Sequence, residues 1–91
     1  MNFNVTNEWQ SLSEIMGSDY AVNQKYRVHN NVDGMYMLTY AESNTDSLGA
    51  KLPPYADIYV GAGNDLYFKV LRKGTGEFTF ENGLYITEVN E

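Results

Sequence analysis

The single histidine, His29, lies in Lys25-Tyr26-Arg27-Val28-His29-Asn30, where polar and apolar residues alternate and His29 shares the polar side with Lys25 and Arg27. A general base needs a nucleophile to activate. The chain has no cysteine, and no serine stands in a G-x-S-x-G elbow. The spacing therefore reads as a solvated histidine on a strand. Glu42 followed by Ser43, Asp57 and Asp65 stand at strand ends, and their spacing sets no carboxylate pair on a common centre. Gly61-Ala62-Gly63-Asn64-Asp65 superficially suggests a phosphate loop, but it lacks the third glycine and the lysine. A strand pattern rather than a helix follows it, so no helix N-terminus is offered to an anion. It reads as a hairpin turn. Asn30 to Met35 lacks the alternating ligands and final glutamate of a calcium loop. The expectation is a protein that is not an enzyme, with no catalytic, metal or cofactor-binding residue.

Composition narrows the partners. Ninety-one residues suit one domain. Such a chain hides only about two-thirds of its extended surface, so oligomerisation is an effective way to bury more. Without cysteine, neither disulfides nor thiolate metal sites can reinforce the core. Twelve acidic residues against six basic ones give a net charge of −6, which opposes binding to nucleic acid. Lys69, Arg72 and Lys73 form the basic cluster, at the charged end of a strand. An acidic surface serves solubility or, alternatively, imitates nucleic acid in an inhibitor. No apolar stretch approaches the ~20 residues that span a bilayer, so no membrane partner is expected. Met1 to Gln10 carries neither a basic nor an apolar leader region, which predicts a cytoplasmic product or one assembled into a particle there, not secreted by a signal peptide. Asn4-Val5-Thr6 matches a glycosylation sequon, which without secretion is a chance match.

The elements read as all-β. Residues 1–6 alternate as an N-terminal arm or strand. Residues 7–17 hold the helical period, with Trp9, Leu12 and Ile15/Met16 at three-to-four spacing, Thr6 or Asn7 as N-cap and Gly17 as the stop. Residues 25–89 read as strands, interrupted by a loop at 43–55 whose Pro53-Pro54 excludes a central strand. Six to seven short strands with regular turn signals predict a small antiparallel β-sandwich or barrel with one short N-terminal helix.

Register decides which side chains face out. If Glu81-Asn82-Gly83 is a three-residue turn, Phe80 pairs with Leu84 and Phe78 with Ile86, which separates apolar from polar better than a two-residue Asn-Gly turn. The same logic at Val32-Asp33-Gly34 sets Val28 opposite Leu38. In this register Tyr26, Tyr36 and Tyr40 enter the core, while Tyr59, Tyr67 and Tyr85 lie on the outer faces of their strands. Tyrosine offers a large ring with a hydroxyl for water and suits interfaces. Tyr59, Tyr67 and Tyr85 are therefore the candidate contact residues. Trp9 and Leu12 join them as alternatives to their role in docking the helix. Sugar stacking on the same rings is a further possibility.

Trp9-x-x-Leu12 leading to Gly17, then Tyr26-x-Val28-x-Asn30, Tyr40-Ala41-Glu42-Ser43 and Asp65-Leu66-Tyr67, occur in that order. This series resembles small virion structural proteins of tailed bacteriophages, with His29 at the position of their glutamine. The resemblance implies a non-enzymatic β-sandwich that self-associates on the particle as a head-decoration, fibre-associated or tail component. The expected partners are further copies of the chain and other virion proteins; apart from the resemblance, a threefold assembly is the expected state. The competing expectations are a small acidic inhibitor of a host nucleic-acid enzyme and a carbohydrate-binding module.

Overall fold

The alternation in Lys25–Asn30 is realised as strand β3, with Tyr26, Val28 and Asn30 buried and the residues between them facing outward. A computed structural model describes residues 1–45, 48–72, 74 and 76–90. Asp46 and Ser47 of the expected loop, Lys73 and Thr75 of the Lys73–Gly76 turn, and Glu91 lie outside the described residues. The other strands are β1 (Asn2–Thr6), β2 (Gln10–Ser11), β4 (Met37–Ala41), β5 (Ala50–Leu52), β6 (Asp57–Val60), β7 (Tyr67–Leu71) and β8 (Thr79–Val89). The eight form two four-stranded antiparallel sheets: sheet A in the order β1-β8-β3-β6 and sheet B in the order β2-β7-β4-β5. The sheets stack without closing into a barrel.

The strands pair in a nested way. β1 pairs with β8, β2 with β7, β3 with β6, and β4 with β5. The chain is thus one long hairpin whose double ribbon is rolled so that β8 also meets β3 and β7 also meets β4. This is the order of an eight-stranded jelly roll.

That topology replaces the two hairpins expected from Asp33-Gly34 and Asn82-Gly83. β3 and β4 belong to opposite sheets, so Val28 faces Ile86 and Ile58 instead of Leu38. Gly61–Asn64 likewise carries the chain from one sheet to the other instead of closing a hairpin. Residues 79–89 are one continuous strand, flanked by β1 and β3. Opposite β1, the register passes from Phe3↔Leu84 to Val5↔Phe80, leaving Glu81, Asn82 and Gly83 as a bulge. Asn82 adopts φ +55°, and its N–H donates to Asn4 Oδ1 at 3.0 Å. Gly83 is there for room: a Cβ on it would lie 2.7 Å from Val5 Cγ1 and 3.0 Å from Val32 Cγ2. Local turn preference loses because two neighbouring strands claim this segment.

The helix is shorter than its period. α1 spans Leu12–Met16 and continues as a 3₁₀ turn through Asp19, while Gln10–Ser11 are taken by β2. Its N-cap is Ser11 rather than Thr6 or Asn7. Ser11 Oγ accepts from Glu14 N–H, and the Glu14 carboxylate accepts from Ser11 N–H, a capping box. The expected 43–55 loop is also interrupted, because Ala50–Leu52 pair with Tyr40–Leu38 as β5. Pro53-Pro54 stand just beyond its end, as the lost N–H groups require.

The core lies between the sheets. Leu84, Val28, Tyr26 and Val60 from sheet A meet Leu38, Phe68 and Val70 from sheet B. Leu12 and Met16 of α1 are buried as well. Tyr36 joins at the margin, stacked on Phe78 at 4.8 Å between ring centroids, and Arg72 lies over the other ring of that pair at 4.8 Å. Asn30, Thr39 and Ser11 are the buried polar residues among those described. Asn30 is fully buried; its Nδ2 donates to Leu52 O (2.9 Å) and Pro53 O (3.0 Å), and its Oδ1 accepts from Val32 N–H (2.8 Å). It ties β3 of sheet A to the end of β5 in sheet B.

Candidate functional site

The sandwich has two long sides, each formed by one edge strand from either sheet. Along β1 and β2, α1 packs over the gap. Along β6 and β5 no described helix does so, and a cleft of about 870 Å³ opens between the sheets. Tyr40 and Ile58 occupy inward-facing positions, opposite Phe68 and Val28, yet both are only partly buried because they line this cleft. Its rim carries Glu42, Ser43, Asn64 and Asp65. Asp65 is already held, accepting from Ser13 Oγ at 2.7 Å and from Ser13 N–H at 3.3 Å.

Tyr59 flanks the cleft from β6 and is 64% exposed on the outer face of sheet A. The same face carries two cross-strand rows: Tyr85, His29 and Asp57, then Thr87, Arg27 and Tyr59. The expected solvated histidine is in fact paired. His29 Nδ1 lies 2.6 Å from Asp57 Oδ1, both side chains about one-third exposed. The pairing escaped sequence reading because it needs β3 beside β6, twenty-eight residues apart. The ring of Tyr55 lies 6.4 Å from that of His29, and its hydroxyl donates to Asp33 Oδ2. This bond, and then the carboxylate's charge, raise the Tyr55 pKa, with a lesser part from burial. Tyr55 holds φ +64°, its N–H donating to Asn30 O at 2.8 Å.

The remaining sequence candidates are dispersed. Tyr85 is 39% exposed on the face that holds Tyr59, whereas Tyr67 is half-buried on β7 of the other sheet. Trp9 lies outside α1, on the outer side of sheet B, with Lys69 Nζ 4.5 Å from its ring centroid. Its Cη2 would be 2.6 Å from a Cβ on Gly49. Leu12 is fully buried. The structure thus gathers Tyr59 and Tyr85, adds Tyr55 beside them, and sets Tyr67, Trp9 and Leu12 elsewhere. Tyr55 was missed because it follows two prolines in what reads as loop.

The described contacts of His29 join it to Asp57 and Tyr55 and to no hydroxyl or thiol nucleophile. Among the described residues no three His, Cys, Asp or Glu side chains converge as metal ligands. No described helix is long and apolar enough to cross a membrane. No family model matches this sequence, and neither a curated protein nor a solved structure matches it.

Proposed function

We propose that this protein is a non-enzymatic structural and interaction protein that self-associates as a component of a bacteriophage particle. The observation that carries self-association is the uncovered β5–β6 side, where inward-facing Tyr40 and Ile58 reach solvent beside the exposed ring of Tyr59. Covering apolar surface is worth about 25 cal/mol per Å². A small sandwich capped by a helix on one side alone has most to gain there from another copy. Tyrosines at the margin suit such a contact. The particle assignment draws on the virion-like motif series, and a jelly-roll order agrees with it by analogy, since capsid and lectin domains use that fold.

Light scattering across a concentration series tests the reading. A multimer is expected in the micromolar range, with Tyr59→Ser weakening association at least tenfold. A wild-type chain that stays monomeric at about 1 mM refutes it. A carbohydrate-binding module is the second reading, favoured by the cleft's tyrosines, its polar rim and the absence of basic residues among those lining it. Glycan-array signal from a monomer would choose that instead.

A further inference from the structure

Hydrogen-bond parity shows what the free edge of β6 offers. Asn30 N–H donates to Ala56 O at 2.9 Å, and β3 and β6 pair in the register Tyr26↔Val60, Val28↔Ile58. In an antiparallel ladder the bonded pairs recur every second residue. Ile58 and Val60 therefore spend their backbone groups on β3, while the N–H and C=O of Asp57 and Tyr59 point off the sheet. The other side of β3 agrees: Asn31 N–H donates to Gly83 O at 2.8 Å, placing the odd-numbered residues of β3 on β8.

We infer that β6 pairs antiparallel with β6 of a second copy of this chain, about a two-fold axis through Tyr59, joining two copies of sheet A into one eight-stranded sheet. This rests on the self-association reading and names its interface. Pairing through an exposed edge is a common recognition mode, with main-chain bonds supplying affinity. Among the registers that bring off-edge groups together, this one sets Tyr59 opposite the partner's Tyr59, an aromatic cross-strand pair. It also sets Asp57 opposite the partner's Gly61, so no two carboxylates face each other. Centring on Asp57 would oppose like charges; centring on Ile58 would face each tyrosine with an aspartate. The contact is isologous, so it closes at two copies rather than in the threefold state expected from the sequence.

The chain has no cysteine, so one introduced thiol gives a clean readout. Opposed Cα atoms in a bonded pair are about 5.5 Å apart, within disulfide range. Tyr59→Cys is expected to form a reducible covalent dimer on mild oxidation. Asp57→Cys, about 14 Å from its copy at ~3.4 Å per residue, is expected to stay monomeric on a denaturing gel. Tyr59→Pro removes an N–H that β3 does not use, so it should keep the wild-type circular dichroism yet lose association. Light scattering of the wild type should give twice the chain mass. A threefold mass, Asp57→Cys dimers as abundant as those of Tyr59→Cys, or a folded Tyr59→Pro that still associates overturns the pairing while leaving self-association standing. A wild type that never associates overturns both.

Discussion

Replacing Asn30 by alanine removes three hydrogen bonds from inside the sandwich. Val32 N–H lies where water does not reach and loses its partner; Leu52 O keeps its place in the ladder opposite Leu38, and the bond to Pro53 O is only part-buried, so water can take its place. A stranded buried N–H costs about 1–3 kcal/mol and the lost bond to Leu52 O about 1 kcal/mol more, so the change costs about 2–4 kcal/mol. The whole domain is worth on the order of 5–10 kcal/mol, so Asn30→Ala should lose roughly half its stability. At about 4–8 °C per kcal/mol for a domain this size, melting falls by about 10–30 °C. Urea titration followed by Trp9 fluorescence, at a concentration where the chain is dissociated, measures the loss directly. Asn30→Asp adds a sign. Its carboxylate would face two carbonyl oxygens, so its folded pKa is raised, and the protonated form restores one donor. The deficit relative to wild type should shrink as pH falls toward about 4, the unfolded carboxylate value, and grow as pH rises through the raised folded value. A loss below about 1 kcal/mol for Asn30→Ala, with an unchanged urea slope, refutes the claim that this side chain clamps the two sheets.

Gly83→Ala should destabilise by about 1–3 kcal/mol in the same titration, because its methyl would press on Val5 and Val32, both fully buried. Ser11→Ala should cost about 1 kcal/mol through loss of the capping box, and Ser11→Asp should recover most of it. Tyr55 should ionise above the ordinary tyrosine value of about 10. The bond to Asp33 therefore contributes below that pH and is lost as pH rises through the raised value. Ultraviolet titration of wild type against Tyr55→Phe isolates the late phenolate, and Asp33→Asn should bring it back toward the ordinary range.

Sidedness was legible where alternation was clean. Tyr26 and Val28 turn inward, and Tyr59 and Tyr85 turn outward, as their positions in each strand imply. Partners were not legible. Asn82-Gly83 between two alternating runs is a strong local hairpin signal, and nothing within ten residues reveals that Val5 and Val32 arrive to cover it. In this order only β4 and β5 are both consecutive and paired, so assigning each strand to its neighbour misplaces most of them. β2 and β5 are two and three residues long, too short to show a period. The helix start carried a usable signal in Ser11-x-x-Glu14, outweighed by the apolar spacing that begins at Trp9. The β5–β6 cleft and the His29–Asp57 pair both required the pairing scheme first.

The position of β8 also sets an order of events. β8 is wedged between β1 and β3, and sheet A has no ladder between those two. Without residues 79–89, sheet A lacks the strand that joins β1 to the β3–β6 pair, and among the described strands only β4 and β5 are paired neighbours in sequence. Val5 and Val28 therefore lack their partners Phe80 and Ile86 until that strand arrives. Folding should then be a slow zippering of distant segments, with β8 acting as a keystone.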